Sequence, residues 1–221
     1  MVTAPAPWQL KGRGYILAVR LPALVLKEQS FIDKALQATR RGPLAYVMFV
    51  DYESSNVGPY RELLFIPGSL QFSDGRYLSV SKIYVSAEAS VVNGRANWGI
   101  PKERCDFGVR YGDDGAGGAD QITLMLDGHI LAELKFRQRR SCKLPFNTGW
   151  LPKRWVTLAQ QLGGREFHYA PAARGSIKPA RLLASNFNSA LFPDISQGRV
   201  VACVKVTGFE MTFPLAETRE L

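Results

Sequence analysis

The chain has 221 residues, of which 46% are hydrophobic and 21% are charged, a composition typical of a globular protein that buries a sizeable core. No apolar run reaches the roughly 20 residues that span a bilayer, and the first residues lack the charged-then-apolar order of a secretory signal, so we expect one cytoplasmic domain over residues 1–221 without membrane association. The formal charge of +9 would attract anions in general, from nucleic acids to small carboxylates, and does not choose among them.

Alternating apolar and polar residues, and runs rich in β-branched and aromatic residues, predict strands along most of the chain. The earlier of these segments, in chain order, are GYILAVR, LAYVMFVD, YRELLFI and YLSVSKIYV. In the next segment, RCDFGVRY, a period of two gives one face to Cys105, Phe107, Val109 and Tyr111. Gly, Pro, Ser and Asn separate the segments, as they do between strands of antiparallel sheets.

Two later segments carry turn or bulge signals. In ITLMLDGHILAELKF, Asp127-Gly128 supplies the left-handed backbone conformations of a tight type I′ hairpin. Beyond that turn, the residues expected to face inward are Ala132, Leu134 and Phe136. The segment VVACVKVTGFEMTF predicts a long strand with a bulge at Gly208.

Helices are expected to be few. One is predicted within residues 26–40 and another within residues 151–162, where Gly163-Gly164 would end it. The segment GDDGAGGAD, residues 112–120, is interpreted as an acidic surface turn without a function. The whole pattern predicts a mainly β, β-rich α+β domain, in which an antiparallel sheet curls into a barrel with one or two flanking helices.

The cysteine and histidine positions give no support to metal or disulfide chemistry. Cys105, Cys142 and Cys203 are odd in number, far apart and without C-x-x-C spacing, so we interpret them as small core residues. His129 and His168 form no H-x-x-H or H-E-x-x-H pattern. We therefore expect no metal site and no cofactor.

Two segments place ionisable residues beside apolar ones. Glu62 lies in a strand otherwise rich in apolar residues, where a carboxylate suits acid–base work if buried but is an ordinary polar residue if it faces outward. Gly99 and Pro101 fix the backbone just before Lys102. Burial would lower the pKa of this lysine and free its amine to attack a ketone, although an isolated lysine of this kind is commonly structural.

These segments, NVGPYRELLFIPG and VNGRANWGIPKERCDF, resemble in order and spacing the paired signatures of the acetoacetate decarboxylase superfamily. The resemblance runs from about Lys11 to Phe213 and implies a cone-shaped antiparallel β barrel in a homo-oligomer. It implies that Lys102, in Gly-x-Pro-Lys, forms an imine with a ketone, and that Glu62 handles protons or orients the substrate. Arg13, in KGRGYIL, would bind the substrate carboxylate.

The chain departs from the decarboxylase pattern at two positions. Glu103 stands where decarboxylases of the family carry a second lysine that activates the first, so the sign of the neighbouring charge is reversed. If the two side chains lie close together, this reversal would leave Lys102 protonated. If they point to opposite faces, as successive strand residues do, desolvation controls the lysine instead. Val47 stands where the family has an acidic residue, so one carboxylate is missing from the expected set.

The resemblance favours a cofactor-independent carbon–carbon lyase that decarboxylates a small β-keto acid of the acetoacetate type. An aldolase or dehydratase that uses the same imine on a larger oxo-acid, and an inactive barrel that binds small anions, remain the alternatives. The residues nearest in sequence to the expected pocket are Tyr60 and Trp98, which are also ordinary core candidates. The basic, aromatic-rich segment over residues 134–155 is interpreted as a solvated surface, because no recognised motif supports nucleic-acid binding.

Overall fold

A computed structural model describes residues 3–113, 118–139 and 142–221 of the chain. The strands of this part, in chain order, are β1 (Trp8–Arg20), β2 (Ala45–Ser54), β3 (Tyr60–Ile66), β4 (Ser69–Phe72), β5 (Gly75–Leu78), β6 (Lys82–Val85), β7 (Lys102–Arg104), β8 (Asp106–Arg110), β9 (Asp120–Leu126), β10 (His129–Gln138), β11 (Leu144–Asn147), β12 (Leu158–Leu162), β13 (Arg165–Tyr169), β14 (Ala172–Phe187), β15 (Arg199–Phe213) and β16 (Glu217–Glu220). The α-helices are α1 (Ala23–Glu28), α2 (Lys34–Gln37), α3 (Glu88–Trp98) and α4 (Lys153–Val156), and two short 3₁₀ turns span Thr148–Trp150 and Ile195–Gln197.

The strands form two sheets. The larger sheet has the order β7-β6-β3-β2-β1-β15-β14-β10-β9-β8, with β11 added beside β14, and it curls into a nearly closed barrel. The smaller sheet has the order β16-β13-β12-β5-β4. Most neighbouring strands are antiparallel, but β6 with β7 and β12 with β5 are parallel. The predicted mainly β, barrel-type fold is therefore confirmed, with a second sheet that the sequence pattern did not indicate.

Strand β1 shows how the barrel gains two hydrophobic cores. Leu17 and Val19 point into one cluster of buried side chains, whereas Trp8 and Leu10 point into the other. The pairing of β1 with β15 shifts register between Gly12 and Gly14, and the extra residue lies on β15 at the predicted bulge, Gly208. Ile16 packs with Trp8 and Leu10, and Tyr15 with Leu17 and Val19, because successive strand residues point to opposite faces, so one strand contributes to both cores.

The strand predictions agree with the structure at particular residues. Asp127 and Gly128 both have positive φ values, 50° and 78°, in the turn between β9 and β10, as a type I′ hairpin requires. Ala132, Leu134 and Phe136 are buried, as predicted. These segments were predictable because each carries a complete local pattern.

The helix predictions were less accurate. The region 26–40 contains two short helices, α1 and α2, instead of one. In the region 151–162 only α4 is helical, and Leu158–Leu162 is strand β12, which pairs with β13 across a turn at Gly163 and Gly164. The helical spacing of the leucines was misleading because the two glycines, with φ of 60° and 75°, form a hairpin turn and not a helix end.

The cysteines, two surface segments and the helix lengths can also be compared with the sequence-based expectations. Cys105 is buried as expected, but Cys203 is half-buried and Cys142 is exposed. Residues 114–117 of the predicted acidic turn, and Arg140 of the basic segment, lie outside the described residues. In the part of the chain that is described, no helix has the length and apolar character needed to cross a membrane.

Candidate active site

Lys102 begins strand β7 and points into the barrel, where only 4% of its surface is exposed. Its ammonium nitrogen Nζ donates to the Ser90 hydroxyl at 2.9 Å and lies 3.4 Å from Glu62 Oε2. The Tyr60 hydroxyl stands 3.5 Å away. The sequence-predicted residues Lys102, Glu62 and Tyr60 are thus brought together, and Ser90 joins them.

Helix α3 forms the wall along which the lysine side chain runs. A β-carbon at Gly94 would stand 2.7 Å from Lys102 Cδ, so the absence of a side chain at this position makes room for the lysine. The helix ends at Gly99, whose φ of 64° is the left-handed conformation that favours glycine at a helix end. A β-carbon there would lie 2.5 Å from the Phe167 ring of β13. Two glycines therefore fix the approach of the chain to Lys102.

Glu62 is held by the strands of the barrel. It lies in β3, is 5% exposed, and accepts a hydrogen bond of 2.8 Å at Oε1 from the Tyr52 hydroxyl of β2. Its other carboxylate oxygen faces Lys102. Of the two interpretations open for this residue, the structure therefore supports the buried carboxylate with a neighbouring cation.

Burial controls the electrostatics of this cluster. Removal from water disfavours the charged form of Lys102 and lowers its pKa, while the Glu62 carboxylate acts in the opposite direction. Burial, reinforced by the same carboxylate, raises the pKa of Tyr52 and of Tyr60 well above the usual value for tyrosine. The two phenols consequently stay protonated, and Lys102 gives up its proton more readily than an exposed lysine does.

The cluster opens into a cavity of about 320 Å³. Most of the described residues that line it are aliphatic or aromatic, and its polar side chains are largely those around Lys102. Trp98 is among the lining residues, and its indole N–H donates to the Pro214 carbonyl at 2.7 Å. Trp155 of α4 also lines the cavity although 59% of it is exposed, so α4 lies where the cavity meets the surface.

Arg13 does not face this cavity. Its guanidinium stacks on the Tyr111 ring, 3.7 Å from the ring centroid, and lies 3.9 Å from Glu53. The next residue, Gly14, lines the cavity, and neighbouring strand residues point to opposite faces. The structure therefore does not bring Arg13 to Lys102, and among the described lining residues no arginine or histidine is found.

The two departures from the decarboxylase pattern have different structural consequences. Glu103 pairs with Lys82 at 2.6 Å on the other face of β7, so its charge is neutralised away from Lys102. Val47 packs in the opposite hydrophobic cluster, while Met48 and Val50 line the cavity from the same strand. The β2 wall of the cavity therefore has no carboxylate at position 47, 48 or 50.

Tyr169 of β13 is a cavity residue that the sequence did not indicate. It is 3% exposed, and no described group accepts a hydrogen bond from its hydroxyl, beside which the Gln160 side chain lies. A buried hydroxyl without an acceptor is uncommon and is relieved when a ligand supplies one. Tyr169 can therefore donate to a bound molecule.

Sequence reasoning also missed Ser90, Tyr52 and helix α3. Ser90 precedes Lys102 by twelve residues and reaches it only because α3 folds back over β7. Tyr52 reaches Glu62 because the register of β2 and β3 pairs Tyr52 with Tyr60. A period-of-two reading of both strands places Tyr52 and Glu62 on the same face, so pairing β2 with β3 would have found this contact.

Comparisons with known proteins agree with this architecture. The family model described as acetoacetate decarboxylase matches residues 18–198, a range that includes Glu62 and Lys102 but not Arg13. No curated protein matches the chain.

Solved structures share the fold at low sequence identity. An acetoacetate decarboxylase-like enzyme from Sphingomonas wittichii RW1 has a TM-score of 0.70 at 13% identity, covering 99% of this chain and 94% of its own. An acetoacetate decarboxylase from Legionella pneumophila subsp. pneumophila str. Philadelphia 1 has a TM-score of 0.69 at 13% identity, covering 97% and 88%. The enduracididine biosynthesis enzyme MppR complexed with pyruvate has a TM-score of 0.65 at 16% identity, covering 99% and 91%. At these identities, the likeness concerns the fold.

Proposed function

The chain belongs to the acetoacetate decarboxylase family, and on that premise we propose that it is a lyase whose Lys102 forms an imine with a keto acid. The observation that carries the proposal is the buried Lys102 amine, 3.4 Å from Glu62, at the wall of an apolar cavity. A lysine whose pKa is lowered by burial presents more of the nucleophilic free amine than an exposed lysine does at the same pH. The reaction favoured is decarboxylation of a β-keto acid.

The steps balance without a cofactor. The neutral amine of Lys102 attacks the ketone carbon, water leaves, and a protonated imine forms. The electron pair of the bond to the carboxylate then moves toward the iminium nitrogen, carbon dioxide departs, and an enamine remains. Protonation of the enamine carbon and hydrolysis by water return the free lysine, so one keto acid and one proton give one ketone and one carbon dioxide.

Glu62 is the acid–base group of this scheme. Its carboxylate lies beside Lys102 Nζ and accepts a hydrogen bond from Tyr52, which holds its orientation. In this position it can take the proton that the amine loses and return it when water leaves or when the enamine is protonated. Ser90, which touches the same nitrogen, is a positioning residue for the lysine.

The cavity itself favours loss of carbon dioxide. A carboxylate that becomes neutral carbon dioxide loses its charge, so apolar walls destabilise the starting state more than the transition state. A cation bound to that carboxylate would stabilise the starting state and oppose the reaction. With Arg13 outside the cavity, Tyr169 is the donor proposed to orient the carboxylate.

A second candidate is an aldol-type condensation or dehydration through the same imine. It is favoured by Met48 and Val50, which leave the β2 wall without a second carboxylate. The similar enzyme MppR has also been seen with the condensation product of pyruvate and imidazole 4-carboxaldehyde. Product analysis separates the two reactions, because only decarboxylation releases carbon dioxide.

Borohydride trapping tests the proposal. The protein is incubated with acetoacetate, pyruvate and longer β-keto acids, reduced with borohydride, and the modified lysine is located by mass spectrometry. We expect an adduct on Lys102 that is absent in Lys102→Met, and none on Lys205, which is also buried but is not among the cavity residues. A folded protein that gives no adduct with any of these acids would instead favour an inactive anion-binding barrel.

A further inference from the structure

The walls of the cavity differ in character from the cluster around Lys102. Four adjacent strands, β3, β2, β1 and β15, supply much of the lining. Their aliphatic contributions include Leu10, Ile16, Met48, Leu64, Val206 and Met211. Aromatic rings of Trp8, Phe209 and Phe213 extend the same surface. A surface of this kind binds hydrocarbon and gives a charged group no partner.

Charge is concentrated at one place in the cavity. Among the described lining residues, Lys102 and Glu62 are the only ones with a basic or carboxylic side chain, and they contact each other. A substrate with a second carboxylate or a phosphate would have to bury that group without a counter-ion, which is strongly unfavourable. The substrate should therefore carry a single charged group, the carboxylate next to its reacting ketone.

The size of the cavity also favours a substrate with more hydrocarbon than acetoacetate. Its volume of about 320 Å³ lies near the lower end of the range of about 300–1,000 Å³ that is usual for small-molecule sites. Acetoacetate carries just a methyl group on the far side of its ketone and would leave most of the hydrocarbon lining uncovered. The apolar walls then contribute little to binding.

We propose that the substrate is a β-keto acid whose ketone carries a large apolar group, either an alkyl chain or an aryl ring, in place of the methyl group of acetoacetate. This inference rests on the proposed function and specifies its substrate. Lys102 binds the ketone carbon, Tyr169 the carboxylate, and the apolar group lies against the strand walls. The products are carbon dioxide and an apolar methyl ketone, in the proportions given above.

A chain-length series tests this substrate class. The initial rates of carbon dioxide release are compared for acetoacetate, butyrylacetate, hexanoylacetate, octanoylacetate and benzoylacetate. Each methylene that the walls bury should raise kcat/KM by up to about fourfold, until the cavity is full. A kcat/KM that is flat or highest for acetoacetate would overturn the inference.

Two alanines on successive positions of β14 supply a matched pair of variants. Ala173 lines the cavity, whereas Ala172 is exposed and points away from it. Ala173→Leu fills part of the cavity and should shift the optimum of the series to shorter acids. Ala172→Leu adds the same side chain outside the cavity and should leave the optimum in place. Equal profiles for the two variants would contradict binding of the apolar group in this cavity.

The outcome also separates this inference from the proposed function. If borohydride traps Lys102 with all of the acids but the rates show no dependence on the apolar group, imine chemistry stands and the substrate class is wrong. If no acid gives an adduct, the proposed function itself fails. Thermal unfolding of each variant shows whether a lost rate reflects a lost fold.

Discussion

The side chain of Lys102 crosses Gly94 of helix α3 so closely that a β-carbon at position 94 would stand 2.7 Å from the lysine Cδ and 2.9 Å from its Cε. The helix and the strand that carries the lysine are thus fitted to each other at one residue without a side chain. Alanine favours helices over glycine by about 1 kcal/mol, so glycine at this position has a local cost. Glycine is present at position 94 despite this cost because a side chain there would occupy the space of the lysine.

The variant Gly94→Ala should reduce the rate of imine formation by about a hundredfold, because displacement of a reacting group by about 1 Å has that effect. The measurement is the rate of borohydride-trapped adduct on Lys102. Gly108→Ala is the matched control, since a β-carbon there meets nothing closer than 3.9 Å. An unchanged trapping rate in a folded Gly94→Ala protein would contradict the fitted arrangement.

The pH dependence of Lys102 should respond to Glu62 in a defined direction. Burial lowers the pKa of the lysine and the Glu62 carboxylate raises it, so Glu62→Gln should lower this pKa further. The profile for labelling of Lys102 by an amine-reactive reagent then moves to lower pH. Turnover should nevertheless fall, by about 10²- to 10⁴-fold, because the acid–base group is lost.

Glu103→Gln is the control for this experiment. Its carboxylate pairs with Lys82 on the opposite face of β7, so its removal should leave the labelling profile of Lys102 in place. A shift as large as that of Glu62→Gln would mean that the charge at position 103 reaches the lysine after all. The two variants together locate the charge that controls the amine.

The variant Tyr169→Phe should weaken substrate binding without weakening the fold. A hydrogen bond to a charged group contributes about 1.5–3 kcal/mol, so KM should rise by roughly ten- to a hundredfold. The kcat should not fall, because a donor to the departing carboxylate stabilises the starting state more than the transition state. The free protein loses no accepted hydrogen bond, because no described group accepts from this hydroxyl. The melting temperature should therefore not fall.

A structural role for Tyr169 would give the opposite result, with a lower melting temperature and an unchanged KM. Tyr46→Phe provides the comparison, because Tyr46 is half-buried in β2 and is not among the cavity residues. This variant should alter neither KM nor kcat. The comparison distinguishes the loss of one particular hydroxyl from the loss of any phenol.

The variant Arg13→Met should leave kcat/KM within about twofold of the original value. The guanidinium stacks on Tyr111 outside the cavity, and methionine keeps much of that apolar contact. An arginine that bound the substrate carboxylate would cost about ten- to a hundredfold in kcat/KM when removed. Steady-state rates with one β-keto acid show whether Arg13 binds the substrate carboxylate or only stacks on Tyr111 outside the cavity.

The position of Arg13 shows where sequence patterns were insufficient. The motif KGRGYIL fixes its place along the chain, but Arg13 lies on the face of β1 opposite Leu10, Gly14 and Ile16, which line the cavity. The same limit applies to Val47, which occupies the expected place in the chain but faces the other core. A resemblance transfers order along the chain, whereas the facing of a side chain depends on which side of its strand the barrel encloses.

Helix α3 was missed for a related reason. Ser90, Asn93 and Gly94 weaken any helical pattern, and all three are buried on the side of the helix that faces the protein. Ser90 and Gly94 serve Lys102 directly, and Asn93 accepts a hydrogen bond from the Ala4 backbone N–H at 2.8 Å. Residues chosen for contacts with distant parts of the chain carry no local signal, whereas the hairpin at Asp127 is complete within its own segment.

Positions 94 and 99 leave almost no mutational freedom around the lysine. Any side chain at Gly94 meets Lys102, and any side chain at Gly99 meets Phe167 at a backbone conformation that other residues rarely adopt. Ala173 and Met48 of the cavity wall are under no such restriction, since neither is among the residues that contact the Lys102 amine. Laboratory evolution toward new keto acids should therefore accumulate its substitutions along the strand walls while the reactive end of the cavity stays as it is.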